Sequence, residues 1–193
     1  MKRILSLIAV VAATATTLMA CGKKASTEAA ATTGKAPKVL VAYFSATGTT
    51  KAAALKVAKA LGAELFEIKP TEPYSEADLD WTRKTSRCCR ENDDPQARPA
   101  FEKSLRSTDG YDLIFLGFPN WWNGAPRIVN TFVETYQLKG QRVVMFMTSG
   151  GSGIENTEKV FKKTYPEVAW EAGKLLNGLS EKAVADWAKG YLR

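Results

Sequence analysis

Val39-Leu40-Val41-Ala42-Tyr43-Phe44, followed by Ser45-Ala46-Thr47-Gly48-Thr49-Thr50, is the stretch whose reading decides the fold. Six consecutive apolar residues fit a strand covered on both faces, which is the habit of a parallel sheet. After the loop, Ala53, Leu55, Val57, Ala58 and Leu61 recur at helical spacing, and Gly62 ends the run. Glu64 to Ile68 then reads as a second strand, so the segment is a βαβ unit.

The same alternation resumes downstream. Tyr111 to Phe118 reads as a strand, Pro126 to Tyr136 as a helix with proline at its start, Arg142 to Thr148 as a strand and Ile154 to Tyr165 as a helix. A short strand near Val168 to Leu175 and a helix from Ser180 complete the pattern. Five strands alternating with helices predict an α/β fold with a doubly wound parallel sheet. Its ligand site is expected at the carboxyl ends of the strands, near a switch in strand order. A length of 193 residues, with 45% apolar and 24% charged side chains, suits one globular domain. No internal repeat is present.

Histidine is absent. Ser-His-Asp and Cys-His catalysis, His-ligated zinc and a histidine pH switch are therefore all excluded. The formal charge of +7 comes without a basic helix, aromatic-interleaved basic strand or known binding motif, so no nucleic-acid partner is expected.

Residues 1–20 read as an export signal. Lys2 and Arg3 form a basic start, Ile4 to Ala20 an apolar stretch, and Leu18-Met19-Ala20-Cys21 a small-residue cleavage site ending in cysteine. This resembles the lipobox of bacterial lipoproteins, although Met19 is unusual within it, and the resemblance implies lipidation at Cys21. The alternative is an uncleaved anchor, but the apolar stretch is interrupted by Ser6, Thr14, Thr16 and Thr17 and falls short of the roughly 20 apolar residues that a span needs. Residues 21–37, rich in Ala, Thr, Lys and Gly, form a flexible tether with a reach of about 20–24 Å. The globular domain then occupies 38–193, and the expected location is the cell envelope, on the periplasmic or cell-surface face of a bacterial membrane. Without Lys2 and Arg3 the charge becomes +5, which suits anionic headgroups, acidic partners or a solvated basic surface alike.

Three loops carry the candidate chemistry. In the first, Gly48 allows a tight turn, hydroxyls stand at Ser45, Thr47, Thr49 and Thr50, and the following helix offers free N–H groups and the positive end of its dipole. That combination suits a phosphate; the alternative is a turn that only caps the helix. Neither G-x-G-x-x-G nor G-K-[ST] is present there, and Gly151-Ser152-Gly153 departs from the dinucleotide pattern at Asn156. The second loop is Pro119-Asn120-Trp121-Trp122-Asn123-Gly124-Ala125-Pro126, and the third is Thr148-Ser149-Gly150-Gly151-Ser152-Gly153.

Taken together, the three loops resemble those of flavodoxins, in particular a subfamily found among exported bacterial proteins, over about residues 38–190. The resemblance implies the strand order 2-1-3-4-5 and an FMN cofactor. Ser45, Thr47, Gly48, Thr49 and Thr50 would hold the phosphate. Pro119, Asn120, Trp121, Trp122 and Asn123 would meet the flavin ring, and Ser149, Gly150, Gly151 and Ser152 its polar edge. An indole offers a flat face suited to that ring, and one of the two tryptophans suffices; the alternative is packing against the sheet or a partner. Backbone groups of the third loop would tune the flavin, and no side chain is assigned acid or base duty.

Two departures qualify the resemblance. Flavodoxins usually carry an aromatic residue in the loop after strand four and an acidic surface, and this chain has neither. A second stacking face must come from elsewhere or lie open to substrate. Tyr74 and Trp81, in the long connection from Pro70 to Gly110, are candidates for it or for plain packing. Arg83, Arg87 and Arg98 in the same connection could receive an acidic group or stand solvated. The adjacent Cys88 and Cys89 cannot copy C-x-x-C geometry, and a vicinal disulfide, two thiols or an interchain bridge all stay open without a catalytic role.

The function expected is FMN-dependent electron transfer, as a carrier working with a redox partner protein or as an NAD(P)H-dependent oxidoreductase acting on a quinone-like small molecule. The alternative is a cofactor-free binding lipoprotein that kept the fold.

Overall fold

A computed structural model describes residues 36–193; Cys21, the 1–20 segment and the tether up to residue 35 lie outside the described residues. Strands β1 (Val39–Tyr43), β2 (Glu64–Glu67), β3 (Leu113–Pro119), β4 (Arg142–Thr148) and β5 (Ala169–Leu175) form one sheet ordered β2-β1-β3-β4-β5, with every neighbouring pair parallel. The helices are α1 (Thr49–Leu61), α2 (Arg87–Asp93), α3 (Arg127–Tyr136), α4 (Glu155–Thr164) and α5 (Glu181–Lys189). No helix among the described residues is long and apolar enough to cross a membrane.

Period-two alternation explains why the central strands read as unbroken apolar runs. Leu40, Ala42, Ile114, Leu116, Phe118, Val143, Met145 and Met147 point to one face, where Ile128 and Phe132 of α3 and Phe161 of α4 close over them. Their neighbours Val39, Val41, Tyr43, Leu113, Phe115, Val144 and Phe146 point to the other face, against Ala54 and Val57 of α1 and Val184 and Ala188 of α5. With helices on both sides, β1, β3 and β4 have no wet face, so polar alternation never appears in them. The edge strand β5 is less buried, and its sequence is correspondingly mixed.

Element ends follow local chemistry. Ser86 and Ser180 accept hydrogen bonds from the backbone N–H of Cys89 and Ala183, capping α2 and α5. Gly62 ends α1 in the left-handed region at φ 60°.

Helix α2 is the element missing from the sequence reading, which treats 70–110 as a connection. Its sequence, Arg-Cys-Cys-Arg-Glu-Asn-Asp, has no apolar period beyond the buried Cys88 and Cys89. Tertiary contacts hold it instead. Arg87 Nε meets Glu91 Oε1 at 2.6 Å, Tyr74 Oη donates to Glu91 Oε2 at 2.5 Å, and the Arg87 guanidinium lies 4.1 Å from the centre of the Tyr74 ring. Arg127 reaches across to the carbonyls of Glu91 and Asn92.

Candidate functional site

The reversal of strand order at β1 brings the three loops side by side. Phe44 N–H donates to the Gly117 carbonyl at 2.9 Å and Asn120 N–H to the Thr148 carbonyl at 2.7 Å, so the loops leave neighbouring strand ends. A cleft of about 460 Å³ opens there, lined by Ala46, Thr47, Pro119, Asn120, Trp121 and Trp122, and from the 70–110 connection by Leu79, Trp81 and Cys88. That volume falls within the usual range for small-molecule sites, which is roughly 300–1,000 Å³.

In the first loop Gly48 takes φ 89°, a left-handed conformation that L side chains adopt at a cost, and its N–H donates to Ser45 Oγ at 3.1 Å. No side chain caps α1 behind it, which leaves the first amide N–H groups of a 13-residue helix available to an anion. Ser45, Thr47 and Thr49 keep their hydroxyls at the surface, with Thr47 and Thr49 3.5 Å apart. Thr50 differs. Its side chain is 1% exposed and its Oγ1 lies 2.7 Å from Thr148 Oγ1, so its hydroxyl ties α1 to the end of β4 and only its backbone faces the loop. Thr50→Val is therefore expected to destabilise the domain by about 1–3 kcal/mol by orphaning a buried hydroxyl, whereas Thr50→Val with Thr148→Val recovers most of that loss in urea unfolding.

The second loop is a two-residue turn. Trp121 and Gly124 exchange backbone hydrogen bonds of 2.9 Å in both directions, and Trp122 and Asn123 between them take φ 46° and 61°. Two successive positive φ values are the signature of a type I′ turn. A tryptophan held there is uncommon, and such strain concentrates at functional sites. Asn156 holds the turn by donating to the Asn123 carbonyl at 2.7 Å, which gives the residue in place of a third glycine a structural task. The tryptophan pair consequently divides. Trp121 packs edge-on against Phe44 and Tyr74, with ring centres 5.8 and 5.6 Å apart, while Trp122 remains 44% exposed. Asn120 Oδ1 is buried and has no hydrogen-bond partner, a cost that a ligand donor would remove.

The third loop is stapled internally. Ser149 Oγ accepts from the N–H groups of Gly151 and Ser152 at 3.1 and 2.9 Å, and Ser149 exchanges backbone hydrogen bonds with the side chain of Asn177. Ser149, Gly150, Gly151 and Ser152 do not line the cleft itself, although Thr148 joins them to it through Asn120.

The long connection yields what the loops lack. Tyr74 packs in the Phe44–Trp121 cluster and does not line the cleft, so it contributes no second face; burial and its bond to Glu91 push its phenol far up. Trp81 does face the cleft, at 72% exposure. Cys88 and Cys89 are free, buried thiols, and burial pushes the Cys88 thiol up, so it stays protonated at neutral pH. No Asp, Glu, Lys or Arg lines the cleft. Leu79 and Cys88 as lining residues have no signal in the sequence other than the length of the connection.

Arg98 already has its acid: its Nε and Nη2 meet the two Glu134 oxygens at 2.7 and 2.8 Å. Arg87 is likewise engaged by Glu91, whereas Arg83 is exposed. Arg98, with help from the Tyr165 hydroxyl, holds the Glu134 carboxyl below the usual glutamate range despite some desolvation. A depressed folded-state pKa adds stability that is present above the unfolded value, about 4.3, and is lost as pH falls through the folded one. Arg98→Gln should shift the acid-unfolding midpoint to higher pH, with Glu134→Gln removing this group's share of the dependence; an unchanged midpoint in Arg98→Gln would contradict it.

A family model described as flavodoxin matches residues 38–191. A candidate flavoprotein from Bacteroides eggerthii is 51% identical, with 80% of this chain and 97% of that one covered and a TM-score of 0.77. A second, from Bacteroides uniformis, is 50% identical over 80% of this chain and 99% of that one, again with a TM-score of 0.77. A flavoprotein from Lactobacillus acidophilus, solved in complex with FMN, shares the fold at 22% identity and a TM-score of 0.64, covering 80% of this chain and 99% of that one. No curated protein matches the chain. The strand order, the three loops at the switch point and the match over 38–191 agree, and the chain belongs to the flavodoxin family.

Proposed function

We propose that this protein binds FMN and transfers electrons through it. The observation that carries this reading is the uncapped amino terminus of α1 beside an uncharged cleft flanked by tryptophans: one end suits a phosphate, the other a flat ring. The two lie at the adjacent ends of β1 and β3, and the Lactobacillus acidophilus relative that shares this fold was solved with FMN.

Bound FMN would supply the redox chemistry, accepting and releasing electrons at its ring. The chain's own part is positional. Backbone N–H groups at 49–50 and the hydroxyls of Ser45, Thr47 and Thr49 would bind the phosphate beside the Gly48 turn, Trp122 would offer a face to the ring, and Asn120 Oδ1 would accept from a ring N–H. No acid or base acts at a stated atom, in keeping with a cleft free of titrating groups other than a protonated thiol. Residues 1–21 complete the reading as the signal and lipidated Cys21 of an exported envelope lipoprotein, which metabolic labelling with a radioactive fatty acid tests against Cys21→Ser.

Reconstitution decides the cofactor. Added FMN should acquire protein-bound visible absorbance and quench tryptophan fluorescence, while riboflavin, lacking the phosphate, should bind at least about tenfold more weakly. Failure of both signals would leave the cofactor-free binding module. Anaerobic NADH or NADPH then divides the remaining pair, since bleaching of the flavin marks an oxidoreductase and indifference a carrier.

A further inference from the structure

At the carboxyl end of the sheet Met147 of β4 is paired with Leu175 of β5, and Leu176 N–H donates to the Met147 carbonyl at 2.9 Å. In a parallel ladder the next rung would pair Ser149 with residue 177, with Ser149 N–H reaching the Leu176 carbonyl and Gly178 N–H reaching the Ser149 carbonyl. The backbone does not make that rung. Gly178 takes φ 64° as the chain turns toward α5, and the Leu176 carbonyl accepts from Leu179 N–H at 3.3 Å instead.

The side chain of Asn177 supplies both missing bonds. Its Oδ1 accepts from Ser149 N–H and its Nδ2 donates to the Ser149 carbonyl, each at 2.7 Å. An amide side chain carries a donor and an acceptor side by side, as a peptide unit does, so it can stand in for the absent strand. Asn177 and Gly178 are exposed, where water competes for the same groups, and what the clasp fixes is therefore geometry more than stability.

Ser149 passes that fixation on in two directions. Forward, its Oγ holds the N–H groups of Gly151 and Ser152, and so the shape of the third loop. Backward, the preceding Thr148 offers its carbonyl to Asn120 N–H at 2.7 Å, and Asn120 Oδ1 is the buried acceptor at the cleft that has no partner. Thr50 holds the side chain of Thr148, while Asn177 holds the backbone of the residue that follows it. Asn177 itself does not line the cleft.

We propose that Asn177 is a positioning residue for the flavin: by completing the edge of β4 at Ser149 it fixes where the third loop leaves the sheet and, through Thr148, where Asn120 presents its oxygen. The proposal rests on the FMN reading above and adds to it a residue from outside the three loops. Support of this kind, behind the groups that touch a ligand, is what holds a site in its productive geometry.

The test compares the full chain with Asn177→Ala, Asn177→Asp and Ser180→Ala. Without cofactor, Ser149 N–H should exchange with solvent about tenfold or more faster in Asn177→Ala than in wild type. FMN and riboflavin should both bind Asn177→Ala about fivefold or more weakly and by the same factor, because the loss lies at the ring and not at the phosphate. The midpoint potential of bound FMN should move by about 15–30 mV, which corresponds to a threefold to tenfold change in the ratio of affinities for the oxidised and reduced cofactor in a two-electron couple. Asn177→Asp keeps the acceptor but sets a carboxylate against the Ser149 carbonyl, and should bind FMN no better than Asn177→Ala. Ser180→Ala removes the cap of α5 three positions on and loosens the same connection; it should lower stability while leaving FMN affinity within about twofold of wild type and the potential unmoved. Wild-type affinity and potential in Asn177→Ala overturn the proposal, as do equal FMN losses in Asn177→Ala and Ser180→Ala, which would reduce the clasp to general stability. Unchanged exchange at Ser149 in Asn177→Ala overturns it whatever the flavin does. Failure of the FMN reading is distinguishable, since wild type itself would then take up no cofactor, and it removes both readings together.

Discussion

Gly48→Ala is expected to weaken FMN binding by about tenfold or more while leaving the unfolding midpoint within a few degrees of wild type. At φ 89° the residue sits where an L side chain costs roughly 1–2 kcal/mol, and open space surrounds the position where a Cβ would lie. The penalty is therefore conformational. The loop can relieve it by rotating Gly48 out of the left-handed region, since the turn is solvent-exposed and only one hydrogen bond, to Ser45 Oγ, pins its N–H. Such a rotation turns the first amides of α1 away from a common point, and an anion cradle depends on that convergence. Because 1.4 kcal/mol is a factor of ten, the strain alone accounts for about the lower bound. Titration with FMN and with riboflavin separates the causes: the variant should lose affinity for FMN and keep it for riboflavin. Equal losses for both would show that the first loop does not hold the phosphate.

Gly117→Ala should destabilise the domain by about 2–3 kcal/mol or more, lowering Tm by roughly 5–10 °C. Gly117 lies in β3 directly opposite Phe146 of β4, and both are interior to the sheet. A Cβ at 117 would collide with the Phe146 ring, including Cε1 at 2.8 Å, and that ring is fully buried among Phe115, Val144 and α5. There is no empty space into which it can swing, so the strain must pass into the backbone of β3 or β4. Strand β3 leads into the cleft residue Asn120, and β4 ends at Thr148, whose carbonyl accepts from Asn120 N–H, so cofactor affinity should fall with stability. Shortening the opposing ring relieves the clash: Gly117→Ala with Phe146→Leu should be more stable than Gly117→Ala alone. Thermal unfolding of the four proteins in the cycle measures the coupling, and additive behaviour would refute the steric account.

The three-way contact at Phe44, Tyr74 and Trp121 shows where local reading stops. The order of loops along the chain names Trp121 and Trp122 as an equivalent pair, and nothing within that loop distinguishes them. What distinguishes them is Tyr74, 47 positions upstream, which with Phe44 covers Trp121 and leaves the left-handed turn to expose Trp122. Thr50 is a similar case. Four hydroxyls look alike in Ser45 to Thr50, and a partner 98 residues away at Thr148 draws one of them inward.

By itself the sequence determined the sheet, its helices other than α2, and the positions of the three loops, because both faces of each central strand are buried and the resulting apolar runs are local in the chain. Doubly wound connectivity then carries the loops after β1, β3 and β4 to one end of the sheet without further instruction. Only the tertiary structure decided that α2 exists, that Tyr74 packs while Trp81 faces the cleft, and that Arg87 and Arg98 have internal acids. Those outcomes depend on contacts between segments far apart in the chain, which no local period encodes. Leu79, Trp81 and Cys88 reach the cleft through such contacts, so their part in it becomes visible only once the 70–110 connection is folded against the switch point.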